Sequence, residues 1–132
     1  MRAPVDRLRP VPAADLVALS ERLLDARGCR HVARLPDTGR PPHLVAYDPG
    51  RNRLVVVTAV PWGQRLPALM ALLGDGRLKK LCRAPARVEV QLHAWRQAPS
   101  GRLRCDTIVL RSADYFGRAR GPASGRWAAA AL

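Results

Sequence analysis

Two apolar runs, Leu44–Tyr47 and Leu54–Val60, stand on either side of Asp48-Pro49-Gly50-Arg51-Asn52, a cluster of turn formers. That arrangement predicts a β-hairpin. The second run is nearly all β-branched and does not alternate with polar residues, which predicts a strand buried on both faces. Such a strand in so short a chain needs layers above and below it, and helices are the expected cover.

The rest of the chain reads outward from this hairpin. Leu16, Leu19, Leu23 and Ala26 recur at helical spacing and predict a helix over Ala13–Arg27, with Gly28 as its stop. Cys29, His31, Ala33 and Leu35 alternate with Arg30, Val32 and Arg34, predicting a strand over Cys29–Leu35 that Pro36 ends. Downstream, Pro67–Leu73 predicts a short helix, and Gly74-Asp75-Gly76 breaks it. Arg77–Arg83 predicts a further helical turn, exposing Arg77, Lys79, Lys80 and Arg83 with Leu78, Leu81 and Cys82 inward.

Val88–Trp95 alternates, so Val88, Val90, Leu92 and Ala94 are expected to face the core while Glu89, Gln91, His93 and Trp95 face away. Leu103–Arg111 returns as a partner strand at an edge of the sheet. The order helix, strand, hairpin, helix, strand predicts one α/β domain over residues 13–111, with a mixed central β-sheet flanked by helices. A basic, Pro-rich arm precedes it over Met1–Pro12. An Arg/Gly/Ala-rich tail follows over residues 112–132, poorly packed unless Tyr115 and Phe116 dock on the domain.

Charge changes the picture. The 132 residues carry 23 Lys and Arg against 10 Asp and Glu, a formal net charge of +13 with a pI near 11.5. Lys79 and Lys80 are the only lysines, so the excess is arginine. A polyanion is the expected partner and nucleic acid the first candidate; a solvated basic surface, or a face for an acidic protein, is the alternative. Cys29, Cys82 and Cys105 have no Cys-x-x-Cys spacing, and are expected as reduced core thiols. No run reaches membrane-spanning length and no apolar stretch opens the chain, so a cytoplasmic protein that avoids membranes is expected. His31, His43 and His93 share no metal-binding spacing, and neither a nucleophile elbow nor a phosphate-binding Gly-rich loop occurs.

The hairpin resembles that of the PD-(D/E)xK nucleases, especially the small phage and archaeal Holliday-junction-resolvase-like members. Their pattern runs Pro-Asp, apolar strand, turn, apolar strand, Glu-x-Lys. Here Pro42-His43 stands where Pro-Asp would be and Thr58-Ala59-Val60 where Glu-x-Lys would be. If Tyr47 pairs with Leu54, His43 falls opposite Thr58, and Val60 lies on the same side as Thr58. The resemblance implies a restriction-endonuclease-like core in which carboxylates and a lysine at this end of the hairpin hold magnesium for phosphodiester attack. His43, Thr58 and Val60 cannot hold that cation, so an inactive relative is expected, with no cofactor and no metal site.

Two acids are candidate remnants of such a site: Glu21 on the first helix and Asp37 in the loop before the hairpin. The candidate nucleic-acid contacts are Arg40, Arg51, Arg53, Arg65, Lys79, Lys80 and Arg83, with Trp62 as a stacker on an unpaired base or a sugar. The leading expectation is a non-catalytic nucleic-acid-binding protein derived from such a nuclease. One alternative is an active magnesium-dependent endonuclease or junction resolvase with a rearranged site. Another is a protein-interaction or assembly factor. The resemblance also implies a homodimer, for which the sequence identifies no face.

Overall fold

The computed structural model of the chain describes residues 13–36, 41–83, 87–116 and 126–131. Helix α1 (Ala13–Ala26) leads into strand β1 (Arg30–Arg34), and strands β2 (Leu44–Asp48) and β3 (Arg53–Pro61) form the hairpin. A single 3-10 turn, Trp62–Gln64, then opens helix α2 (Arg65–Leu73), followed by helix α3 (Gly76–Leu81). Strands β4 (Val88–Gln97) and β5 (Leu103–Leu110), helix α4 (Ser112–Phe116) and strand β6 (Arg126–Ala131) complete the described chain.

The six strands make one mixed sheet in chain order, β1-β2-β3-β4-β5-β6. Every neighbouring pair is antiparallel except β3 and β4, which run parallel and are joined through α2 and α3. A parallel pair needs such a crossover, and here it covers one face of the sheet. The architecture is α/β, with a mixed sheet and flanking helices, as the periodicity predicts.

Tyr47 pairs with Leu54 and Leu44 with Val57, the register the turn chemistry implies. The turn is fixed from within: Asp48 accepts from the Gly50 amide at 3.1 Å and from Arg51 Nε at 2.9 Å, while Tyr47 donates to Asn52 at 2.6 Å. Asn52 takes φ 52°, a left-handed conformation that Asn tolerates better than most residues. Val55 to Ala59 are all buried, so β3 is covered on both faces.

One face packs Leu16, Leu19, Leu23 and Leu24 of α1 on Leu44, Ala46, Val55, Val57 and Ala59. The other packs Leu72 of α2 and Leu78 of α3 on Val56, Val90, Leu92, Ile108 and Leu110. Each fully buried Leu or Val contributes about 1.5–3 kcal/mol of transfer free energy. Tyr115 of α4 docks on this second layer, and its hydroxyl donates to the Leu72 carbonyl at 3.0 Å.

Several expectations are corrected. Strand β1 does not alternate: His31 takes φ 55° at a register shift between Arg30 and Ala33, so Ala33 is exposed and Val32 is the half-buried residue. Ala26 is exposed at the end of α1, and Leu81 is exposed at the end of α3. Residues expected to form only a tail supply β6, which moves β5 from the edge to the interior of the sheet. The largest correction concerns β4, where Glu89, Gln91, His93 and Trp95 are buried rather than solvent-facing. Helix α1 packs on Trp95 and brings Ser20 to His93 and Trp95, while Arg51 of the hairpin turn reaches Glu89.

Candidate functional site

The hairpin end that resembles a nuclease centre is built from apolar and neutral groups. Thr58 is 1% exposed and its Oγ1 has no hydrogen-bond partner among the described residues. Val60 packs half-buried on the α2 side, with Val56 two turns of the pleat away. The opposite face of β3 carries Val55, Val57 and Ala59. Neither face therefore presents a carboxylate or an amine, whichever register is compared with the nuclease pattern. His43 is half-buried, and its Nδ1 accepts a hydrogen bond from the Ala59 amide at 3.0 Å. Burial holds its pKa below the ordinary imidazole value, so the ring is neutral at pH 7.

Glu21 does not join these residues. It lies on α1, across the sheet from Thr58 and Val60, and accepts from Arg34 at 2.8 Å. Asp37 and Arg40 lie outside the described residues. No group of three or more His, Cys, Asp or Glu among the described residues is placed to hold a metal ion. The cysteines are buried, and burial pushes the thiols of Cys82 and Cys105 up to about 11 and raises that of Cys29. They are poor nucleophiles in that state.

Three groups of basic residues stand out. The first surrounds Glu89, which is fully buried at the turn end of the hairpin. Arg51 donates to both of its oxygens, at 3.1 and 2.8 Å, and Arg53 and Arg111 stand 3.7 and 3.8 Å away. The Asp48 and Glu89 carboxylates both raise the Arg51 pKa, and Arg51 in turn lowers that of Asp48. Three of the Arg51 donors are thus engaged inside the fold.

The second group is α3. Asp75 caps it, accepting from the Arg77 and Leu78 amides at 2.8 and 3.3 Å, so an acidic side chain meets the positive start of the helix dipole and Lys79 and Lys80 meet its negative end. Lys79 and Lys80 form that last turn, with Arg83 just beyond, and all three are exposed. Arg77 leans back to Asp75 at 3.5 Å.

The third group forms where β3 and β4 end. Arg65 holds its guanidinium carbon 3.7 Å from the centroid of the Trp62 ring and donates to the Trp62 carbonyl at 2.8 Å. Arg96 approaches the same ring at 4.8 Å. The tryptophan that the sequence offers to an unpaired base is therefore already occupied by two arginines. Arg96 was not a sequence candidate, because its neighbour in space is 34 residues away by number.

Sequence reasoning also missed the buried polar line on β4. Trp95 can only donate, and it does so to Ser20 Oγ at 2.9 Å. Gln91 gives its amide nitrogen to Glu89 and so turns Oε1, an acceptor, to His93. The ring proton of neutral His93 therefore sits on Nε2, 2.9 Å away, and the bare Nδ1 accepts from Ser20 Oγ at 2.8 Å. Gln91 Nε2 donates onward to Glu89 at 2.8 Å. Every polar atom that these contacts join has a compatible role, and burial keeps His93 neutral, its pKa pushed down to about 3. The signal available in the sequence was Trp95 itself, a large apolar group in the nominally solvent-facing set.

No family model, curated protein or solved structure matches the chain. The fold is an α/β domain with a mixed sheet. Its polar chemistry lies in the three arginine groups and the buried polar line.

Proposed function

We propose that this protein binds nucleic acid without cutting it, on a frame derived from a resolvase-like PD-(D/E)xK nuclease. The observation that carries this reading is the charge, 23 basic side chains against 10 acidic ones. Glu21, Asp48, Asp75 and Glu89 are each paired with an arginine, and over the whole chain the basic side chains still exceed the acidic ones by a net charge of +13, an excess that suits an external polyanion. Lys79 and Lys80 of α3 and Arg83 just beyond it, with Arg65 and Arg96 at the sheet end, supply phosphate contacts that fix orientation without reading sequence. The neutral His43, Thr58 and Val60 support the absence of cleavage, since a hard divalent cation requires oxygen ligands of higher charge.

The test pairs binding with cleavage. Purified protein is titrated onto labelled duplex, single-stranded and four-way-junction DNA across a salt series, with magnesium or manganese in parallel. Binding that weakens steeply with salt and leaves the DNA intact is the expected result. Metal-dependent cutting that Glu21→Ala or Asp37→Ala abolishes would establish the active-nuclease reading instead.

One observation favours a second reading, in which the molecule docks on a protein. Leu66 and Met70 lie one helical turn apart on α2 and are 58% and 69% exposed, with Leu81 of α3 at 47%. Salt-insensitive capture of a partner, together with no DNA affinity, would support that reading over the first.

A further inference from the structure

The third arginine group extends beyond the two residues that touch Trp62. Pro61 pairs with Trp95, so the chain leaves β3 beside the end of β4 and brings Trp62 next to Arg96. Arg96 lies directly opposite Arg104 on β5. Like charges opposite one another on neighbouring strands destabilise a sheet. The Nε of Arg104 is also buried without a hydrogen-bond partner among the described residues. Two residues along the same face, the buried Asp106 has one oxygen, Oδ1, likewise unbonded. Three arginines against that one carboxylate leave a net positive site.

An arginine held against an aromatic ring keeps the N–H fork at its rim available for a planar or tetrahedral anion. Trp62 holds Arg65 and Arg96 in this way, and the Arg65 bond to the Trp62 carbonyl fixes one of them further. A phosphate accepting from these forks relieves the repulsion between Arg96 and Arg104 and supplies charge-assisted hydrogen bonds. The position is apt as well, outside the carboxyl ends of the sheet's parallel strands, where open α/β sheets bind ligands.

The geometry points to a phosphate-binding site made by Arg65, Arg96 and Arg104, with Trp62 as the platform that positions the first two. Its ligand is a phosphodiester group of a nucleic-acid backbone, and an unpaired base is excluded from the ring by the arginines already on it. The choice of a nucleic-acid phosphate rests on the function proposed above, whereas the anion site itself does not.

Inorganic pyrophosphate titrated into the full chain tests the site, with the arginine Nε–H and tryptophan indole N–H signals followed by NMR. Arg96→Gln alters an exposed residue, and Arg96→Gln/Arg104→Gln is compared with it, the amide spectrum of each showing that the fold persists. The expected result is a saturable shift, weakened in the single variant and lost in the double. Duplex binding by the double variant should show a salt slope shallower by about 0.9 for each phosphate contact removed. Pyrophosphate shifts without any DNA binding would uphold the site and overturn the nucleic-acid reading. DNA binding unchanged in the double variant, with no saturable pyrophosphate shift, would overturn the site and leave that reading intact. A shift caused by a nucleoside but not by pyrophosphate would show base stacking on Trp62 and overturn the proposal. Silence towards both pyrophosphate and DNA would remove both.

Discussion

Ser20 is the residue on which the back of β4 depends, because one hydroxyl serves both His93 and Trp95. Ser20→Ala leaves two buried polar atoms without partners. Each such orphan costs about 1–3 kcal/mol. The midpoint of urea unfolding should fall accordingly, and a midpoint equal to wild type would show that the line carries no stability. His93 supplies a second prediction at this scale. Its folded pKa, near 3, lies below the ordinary 6.5, so the unfolded chain binds the extra proton between those values. Stability from this group is fully present above pH 6.5 and is lost as pH falls towards 3, by about 1.4 kcal/mol per pH unit. The lowered pKa of His43 acts with the same sign. Comparing unfolding of wild type and His93→Gln from pH 7 to pH 4 separates the two, and identical pH slopes would refute the assignment to His93.

At the scale of elements, the hairpin turn is pinned to β4 through Glu89, chiefly by the two-pronged contact of Arg51, with Arg53 3.7 Å from the same carboxylate. Arg51→Met keeps the apolar stem and removes the fork. Hydrogen bonds to charged groups contribute about 1.5–3 kcal/mol, and Arg53 and Arg111 remain near Glu89 to offset part of the loss. Amides of β2 and of the first half of β3 should exchange faster than those of β5, and uniform exchange across the sheet would count against the pin. The cap of α3 is smaller in effect: Asp75→Ala should cost about 1 kcal/mol. A thermal melt that does not move would show that α3 holds by its contacts through Leu78 alone.

This is also the scale at which the sequence was most and least legible. The hairpin could be read because Asp48, Gly50 and Asn52 encode the turn locally, and β-branched side chains encode its second strand. The inner face of β4 could not, because Glu89, Gln91 and His93 are polar in any local window. Their burial is decided by Arg51 and Ser20, which lie 38 and 73 residues away in sequence. The bulge at His31 likewise breaks an alternation that composition alone supports.

For the whole molecule, the decisive quantity is how binding responds to salt. Lys79→Glu/Lys80→Glu reverses two exposed charges at the end of α3 and should weaken duplex binding at every ionic strength. Its salt slope should become shallower by about 0.9 per lost contact, and a wild-type slope near zero would argue against a phosphate-bound partner altogether. Much of this surface was legible in the sequence, since clustered lysines on a short amphipathic segment have few alternatives to exposure. The third arginine group was not, because Trp62, Arg96 and Arg104 meet only through strand register.

The line from Glu89 to Trp95 has one further consequence, for descent rather than for stability. Each member has a fixed direction of donation, so replacing any one strands a neighbour in a dry layer. Drift through single substitutions is therefore blocked there, although the exposed arginines can change one at a time. In divergent descendants of this chain, Ser20, Glu89, Gln91, His93 and Trp95 should be inherited together or exchanged together for an apolar set.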